Sequence, residues 1–66
     1  MQLTVNGKPR RVDGAPTLLE LLESIPINPR LVAVEHNGEI VRRERFELIR
    51  LGEGDTLEII HMVGGG

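Results

Sequence analysis

Residues 17–26, TLLELLESIP, hold the only clear amphipathic helix in a chain of 66 residues, and that solitary stripe constrains the fold most. Thr17 followed three positions later by Glu20 fits a capping box, in which each side chain satisfies a backbone N–H at the helix start. Leu18, Leu21, Leu22 and Ile25 fall at the i, i+3, i+4, i+7 spacing of one buried stripe, with Leu19 on its flank and Glu20, Glu23 and Ser24 outward. Pro26 ends the helix, and Pro29 is expected to keep the next connection extended and short. With no second helix to cover the stripe, a sheet must do so.

The rest of the sequence supplies that sheet. Leu3 and Val5 alternate with Gln2 and Thr4, and Asn6-Gly7 then offers the positive φ angles of a two-residue type I′ turn. Lys8 to Val12 is the expected return strand, and Pro9, which cannot donate to a ladder, places it at an edge or else marks its start. Asp13 to Pro16 reads as a loop. Leu31 to His36 is a β-branched-rich run with apolar residues on both faces, Asn37-Gly38 repeats the turn signal, and Glu39 to Val41 is its short partner. The charged stretch Arg42 to Arg50 reads as an irregular or single-turn connection anchored by Phe46, Leu48, Ile49 and Leu51. After the Gly52-Glu53-Gly54-Asp55 turn, Thr56 to Met62 forms the last strand, and Ile59 and Ile60 on opposite faces suit an interior position. The expected fold is α+β: a mixed sheet of four to five strands packed by one main helix, with the last strand parallel to the first. This is the β-grasp, or ubiquitin-like, architecture, with residues 1–63 as the domain and 64–66 as a flexible glycine tail.

Composition narrows the function. A chain this short buries only about 60% of its unfolded surface, leaving little room for an internal active site. One Phe and no Trp or Tyr argue against base-stacking nucleic-acid modules, and a net charge of −2 removes the usual basic footprint. Arg42, Arg43, Arg45 and Arg50 form a local basic cluster, but Glu44 and Glu47 interrupt it, so it reads as a solvated mixed-charge face. No cysteine is present, so there is neither a disulfide framework nor a thiol nucleophile. His36 and His61 are too few for a zinc site, and no metal is expected. His61 reads as a half-buried strand residue in preference to a partner contact. Gly52-Glu53-Gly54 lacks the lysine and helix of a phosphate loop, and the scattered carboxylates offer no acid–base pair. The domain does not read as an enzyme. No secretory signal or run of about 20 apolar residues is visible, so the expected compartment is the cytoplasm, without membrane association.

The sequence closes on HMVGGG. At average glycine usage of about 7%, three consecutive glycines arise roughly once in several thousand positions, although small residues also suit a frayed terminus. With Gly66 last, its carboxylate is expected to reach about 10 Å beyond Val63. Without Cβ atoms the tail can lie in a narrow channel of another protein. Ordering it takes entropy, so the domain must add contacts of its own, for which Ile60, Met62 and Val63 are candidates. A free carboxylate is a poor electrophile. Transfer of AMP from ATP makes an acyl adenylate that an external sulfur nucleophile can convert to a thiocarboxylate.

The runs VAVEHNGEIV and LGEGDTLEIIHMVGGG and the opening LTVNGKPR resemble the ThiS family of sulfur carriers in thiamine biosynthesis, over nearly the whole chain. The resemblance implies a β-grasp fold and modification at Gly66, with Gly65 an indispensable neighbour and Gly64 extending the tail. It implies that a ThiF-type adenylyltransferase activates Gly66 with ATP, the carrier itself binding no cofactor. A sulfur donor such as a persulfide enzyme then loads it, and a ThiG-type thiazole synthase takes the sulfur into the thiazole ring. Related carriers serve molybdopterin synthesis or tRNA thiolation, and ubiquitin-like modifiers join the same carbonyl to protein lysines. A non-covalent interaction module with an incidental tail is the remaining reading. The Arg42 to Arg50 segment matches no motif of the family.

Overall fold

A computed structural model describes residues 1–62. Strands β1 (Gln2–Val5), β2 (Lys8–Arg11), β3 (Val32–His36), β4 (Glu39–Val41) and β5 (Thr56–His61) form one sheet in the order β2-β1-β5-β3-β4, and helix α1 (Leu18–Glu23) packs on it. β5 lies between β1 and β3, parallel to the first and antiparallel to the second. This is the mixed five-stranded β-grasp arrangement expected above.

Both Asn-Gly pairs turn as expected. Asn6 and Gly7 have φ of 52° and 80°, and Asn37 and Gly38 have 51° and 86°, the left-handed values a type I′ hairpin requires. Pro9 sits opposite Thr4 on edge strand β2, where its missing N–H faces no ladder. β2 stops at Arg11, one residue short of the expected Val12.

The capping box closes as read: the Thr17 N–H donates to Glu20 Oε1 at 2.8 Å, and the Glu20 N–H donates to Thr17 Oγ1 at 3.1 Å. The bond from the Thr17 N–H is foremost in holding the Glu20 carboxyl below its ordinary range, helped by the Thr17 hydroxyl and the Arg50 charge and opposed by desolvation. The regular helix ends at Glu23, earlier than the stripe to Ile25 implied. Ser24 is the reason: its hydroxyl donates to the Leu21 carbonyl at 2.6 Å, and Ile25 N–H bonds back only three residues to Leu22, so the last turn tightens before Pro26.

Three other details differ. Pro29 opens a 3-10 turn, Pro29–Leu31, capped by the Asn28 side chain, so the connection is coiled and Leu31 precedes the strand. Leu48 is 66% exposed and anchors nothing, whereas Phe46 and Leu51 are buried and Ile49 packs against the core. β5 is interior in hydrogen bonding, yet Ile60 is exposed, because the helix covers only one face of the sheet.

Leu3, Leu18, Leu21, Leu22, Val32, Val34, Phe46, Leu51 and Leu57 form the buried core. The charged connection closes its helical end through its backbone. The Leu18 and Leu19 N–H groups, orphans of the first helical turn, donate to the carbonyls of Ile49 (2.8 Å) and Phe46 (3.0 Å). Arg50 reaches the Ala15 carbonyl at 2.6 Å.

Leu21, 2% exposed, tests the stripe. Leu21→Ala should destabilise the domain by about 2–5 kcal/mol, whereas Leu48→Ala should stay within about 0.5 kcal/mol. Equilibrium denaturant unfolding of both variants checks the contrast.

Candidate functional site

The two ends of β5 carry different chemistry. At its start, the β3–β4 turn meets the Gly52–Asp55 turn through the Asp55 carboxylate. Oδ2 accepts from His36 Nε2 at 2.8 Å and from the Gly52 N–H at 2.8 Å, and Oδ1 accepts from Asn37 Nδ2 at 3.1 Å. A carboxylate only accepts, so Nε2 carries the hydrogen of the His36 bond. Asn37 Oδ1 in turn accepts from the Thr56 N–H at 2.9 Å, at the first residue of β5. Partial burial pushes the Asp55 carboxyl upward as the largest single influence, but the bonds from His36, Gly52 and Asn37, with the His36 charge, together hold it below its ordinary range.

Sequence reasoning missed this cluster. Both turns were visible, but they lie 18 to 19 residues apart and nothing local says they meet. Beside it lies an open cavity of about 360 Å³ lined by His36, Asn37, Glu39, Val41 and Arg45 among others. Among the described residues no group of three potential metal ligands occurs, and no helix is long and apolar enough to cross a membrane.

At the other end, β5 carries the chain out of the sheet. Met62 N–H donates to the Leu31 carbonyl at 2.9 Å, and Ile60 pairs in register with Ala33 on the sheet face away from the helix. Leu31, Ile60 and Met62 are 52%, 53% and 54% exposed, making three of the five exposed large apolar side chains among the described residues and gathering at this end. Ile60 and Met62 were expected here from the sequence. Leu31 was not, because it read as strand; its exposure follows from the 3-10 turn. Val63, Gly64, Gly65 and Gly66 lie outside the described residues. His61 is exposed, not half-buried as expected: Val32 across its rung is buried, but β1 aligns with β5 only as far as Leu57 and gives His61 no neighbour on the other edge among the described residues.

The face away from the helix also sets Glu35 of β3 directly opposite Glu58 of β5, and neither forms an ion pair among the described residues. Ile40, opposite Glu35 on β4, is 78% exposed. Like charges in register oppose pairing.

A five-stranded sheet with β5 central, its end rimmed by apolar side chains, is the setting in which known proteins become informative. Residues 3–66 match the ThiS family. The chain belongs to that family. It is 38% identical to the sulfur carrier protein ThiS of Bacillus subtilis, over 97% of this chain and 98% of that protein. The crystal structure of the thiamine biosynthesis protein ThiS from Geobacter metallireducens superposes with a TM-score of 0.87 at 42% identity, covering all of both chains. The whole chain is also 38% identical to part of a thiazole synthase of Paramagnetospirillum magneticum, of which it spans 20% of the length. The corresponding figures for the thiazole synthase of Magnetococcus marinus are 36% and 20%. In this ThiS-family chain the central strand ends at His61, and Gly64, Gly65 and Gly66 follow after Met62 and Val63 in the sequence.

The Asp55 cluster makes a signed prediction. A carboxyl held low in the folded state stabilises it above the unfolded value, near 3.8, and loses that contribution as pH falls through the lower folded value. Denaturant midpoints followed from pH 6 down to about pH 2 should therefore fall less steeply below about pH 4 for Asp55→Asn than for wild type. Asp55→Asn should also be less stable at pH 6. Separately, Glu58→Gln relieves the repulsion with Glu35 and should raise stability by about 0.5 kcal/mol, read from the same unfolding curves.

Proposed function

We propose that this chain is the sulfur carrier for thiazole formation in thiamine biosynthesis, with the carboxylate of Gly66 as its reactive group. The observation that carries the reading is the family match through Gly66, joined to a fold whose central strand runs out into Val63-Gly64-Gly65-Gly66. The domain is a handle. Its exposed Leu31, Ile60 and Met62, with Val63, supply docking contacts, and Gly64 and Gly65 pass through a channel too narrow for side chains.

The chemistry takes place on partners. A ThiF-type adenylyltransferase brings the Gly66 carboxylate to ATP; a carboxylate oxygen bonds to the α-phosphorus and pyrophosphate leaves. The resulting mixed anhydride is electrophilic at carbon because AMP can depart with the electron pair. The terminal sulfur of an enzyme persulfide attacks, loses its proton and expels AMP, giving an acyl disulfide. A thiol then attacks the donor enzyme's sulfur, releasing the thiocarboxylate on Gly66 and leaving a disulfide between thiol and donor. The carrier needs neither a metal nor a bound cofactor for these steps; ATP is used on the activating enzyme, in the cytoplasm.

The two thiazole synthases that contain a stretch similar to this whole chain support a ThiG-type thiazole synthase as acceptor. A carrier joined to its acceptor raises their effective concentration, and sequence continuity with a thiazole synthase favours thiamine over the molybdopterin and tRNA branches.

Intact-mass spectrometry after incubation with ATP, the cognate adenylyltransferase and a sulfur source should show one oxygen replaced by sulfur at Gly66. A Gly-terminated remnant on lysines of other proteins would instead identify a modifier. Gly65→Ala should melt with wild type yet be adenylated far more slowly. Equal turnover of the two would refute the narrow channel.

A further inference from the structure

One bond pair at the exit of β5 has no role in the chemistry described so far. β1 aligns Thr4 with Thr56 and Val5 with Leu57, and then the chain turns away at Asn6-Gly7. β5 continues for four more residues to His61. Asn6 bridges the gap twice. Its backbone N–H donates to the Leu57 carbonyl at 2.9 Å. Its side chain takes the next rung, Oδ1 accepting from the Ile59 N–H at 2.7 Å and Nδ2 donating to the Ile59 carbonyl at 3.2 Å. The side-chain amide thus replaces a peptide group, offering one donor and one acceptor to one residue of the neighbouring strand. Among the described residues nothing else holds this edge of β5 beyond Ile59; the strand's last hold is on its other edge, from Met62 to Leu31.

The geometry points to Asn6 as a positioning residue that sets the direction in which β5 delivers the tail, an inference that rests on the proposed carrier function. A strand paired on one edge twists more strongly than one paired on both, so the last anchored rung decides where twisting begins. From Ile59 to Met62 is about 10 Å of extended chain, and a change of direction of about 10° at Ile59 displaces Met62 by nearly 2 Å. Met62 carries one of the exposed docking side chains and also leads into the tail. Displacing it misaligns the glycines with a domain still docked through Leu31 and Ile60. Misplacement by about 1 Å can slow a positioned reaction about a hundredfold.

Asparagine is also a favoured type I′ residue, so the turn alone could account for it. Substitution separates the two roles. Glycine and aspartate both suit the left-handed turn position, but Asn6→Gly loses both bonds to Ile59 and Asn6→Asp keeps only the acceptor. The test is ATP-dependent adenylation of the full chain by the ThiF-type enzyme, followed by pyrophosphate release, with amide hydrogen exchange on the same proteins. For Asn6→Gly, kcat should fall about tenfold with KM within about twofold of wild type, since docking survives and only the reacting geometry suffers. Exchange at Ile59 and Met62 should quicken while the Val34 and Glu35 amides of β3 stay protected. Asn6→Asp should lie between, and it decides by the same split if Asn6→Gly does not fold. Wild-type kcat in a variant whose Ile59 amide exchanges freely, or unchanged exchange at Met62, would overturn the inference. A wild-type chain that is never adenylated would refute the carrier function instead, and exchange at Met62 would still decide whether Asn6 anchors the strand.

Discussion

An interior strand must find partners along both edges, and β5 is longer than either neighbour can satisfy with backbone alone. β1 aligns with only two of its residues, and at β5's first residue the β3 side supplies the Asn37 amide oxygen to the Thr56 N–H. Buried or half-buried peptide groups left unpaired would oppose the fold. The two type I′ turns answer this demand, since each places an asparagine whose side chain reaches β5: Asn37 at Thr56 and Asn6 at Ile59. A residue chosen for left-handed backbone angles thereby also completes the ladder, which a glycine in the same turn could not do.

The helix depends on the same economy of parts. Six residues are far too few for an isolated helix in water, so α1 exists only because its ends are satisfied and its leucines are buried. Thr17 and Glu20 cap each other, and the carbonyls of Phe46 and Ile49 accept from Leu18 and Leu19. The segment from Arg42 to Leu51 is therefore structural through its backbone and through buried Phe46 and Leu51, while Arg42, Arg43 and Arg45 point their charge to solvent. Its lack of a recognisable motif is what a clamp made of carbonyl groups predicts, because carbonyls place no demand on residue type.

That distinction also explains what was legible. Periodicity, the capping box and both Asn-Gly turns were readable because each is set by residues within a few positions of one another. That a sheet exists followed from having one helix to cover, and the last strand's place parallel beside the first came with the β-grasp pattern. Leu31 was misjudged because side-chain character says nothing about a 3-10 turn that rotates a leucine outward, and Leu48 because it sits in the turn after Arg43–Arg45, its N–H bonded back to the Arg45 carbonyl and its side chain exposed. His61 was misjudged because strand alternation alone does not say that β1 stops pairing at Leu57 and leaves the end of β5 with a neighbour on one edge only. The Asp55 cluster and the Asn6 bonds to Ile59 span 18 to 53 residues, and a single sequence contains no local signal for contacts of that range. Gly66 became a candidate from elementary carboxylate chemistry, and its biological setting came from family resemblance.

The two ends of β5 are built differently. At Thr56, turns, carboxylate and asparagine lock the strand in place; at Met62, three large apolar side chains stand open and the bonding thins to one edge. An isolated domain gains nothing from exposing Leu31, Ile60 and Met62, nor from setting Glu35 against Glu58 on the same open face. On the proposed function, both features suit a partner that covers the apolar surface and brings a cation to the carboxylates, where burial and charge pairing are recovered at the interface. A carrier must also leave that partner after loading. Modest apolar area around a strand end, with affinity held in reserve, suits release better than a large interface would. In the proposed function, such release lets the small domain pass its tail from an activating enzyme to one that takes up its sulfur.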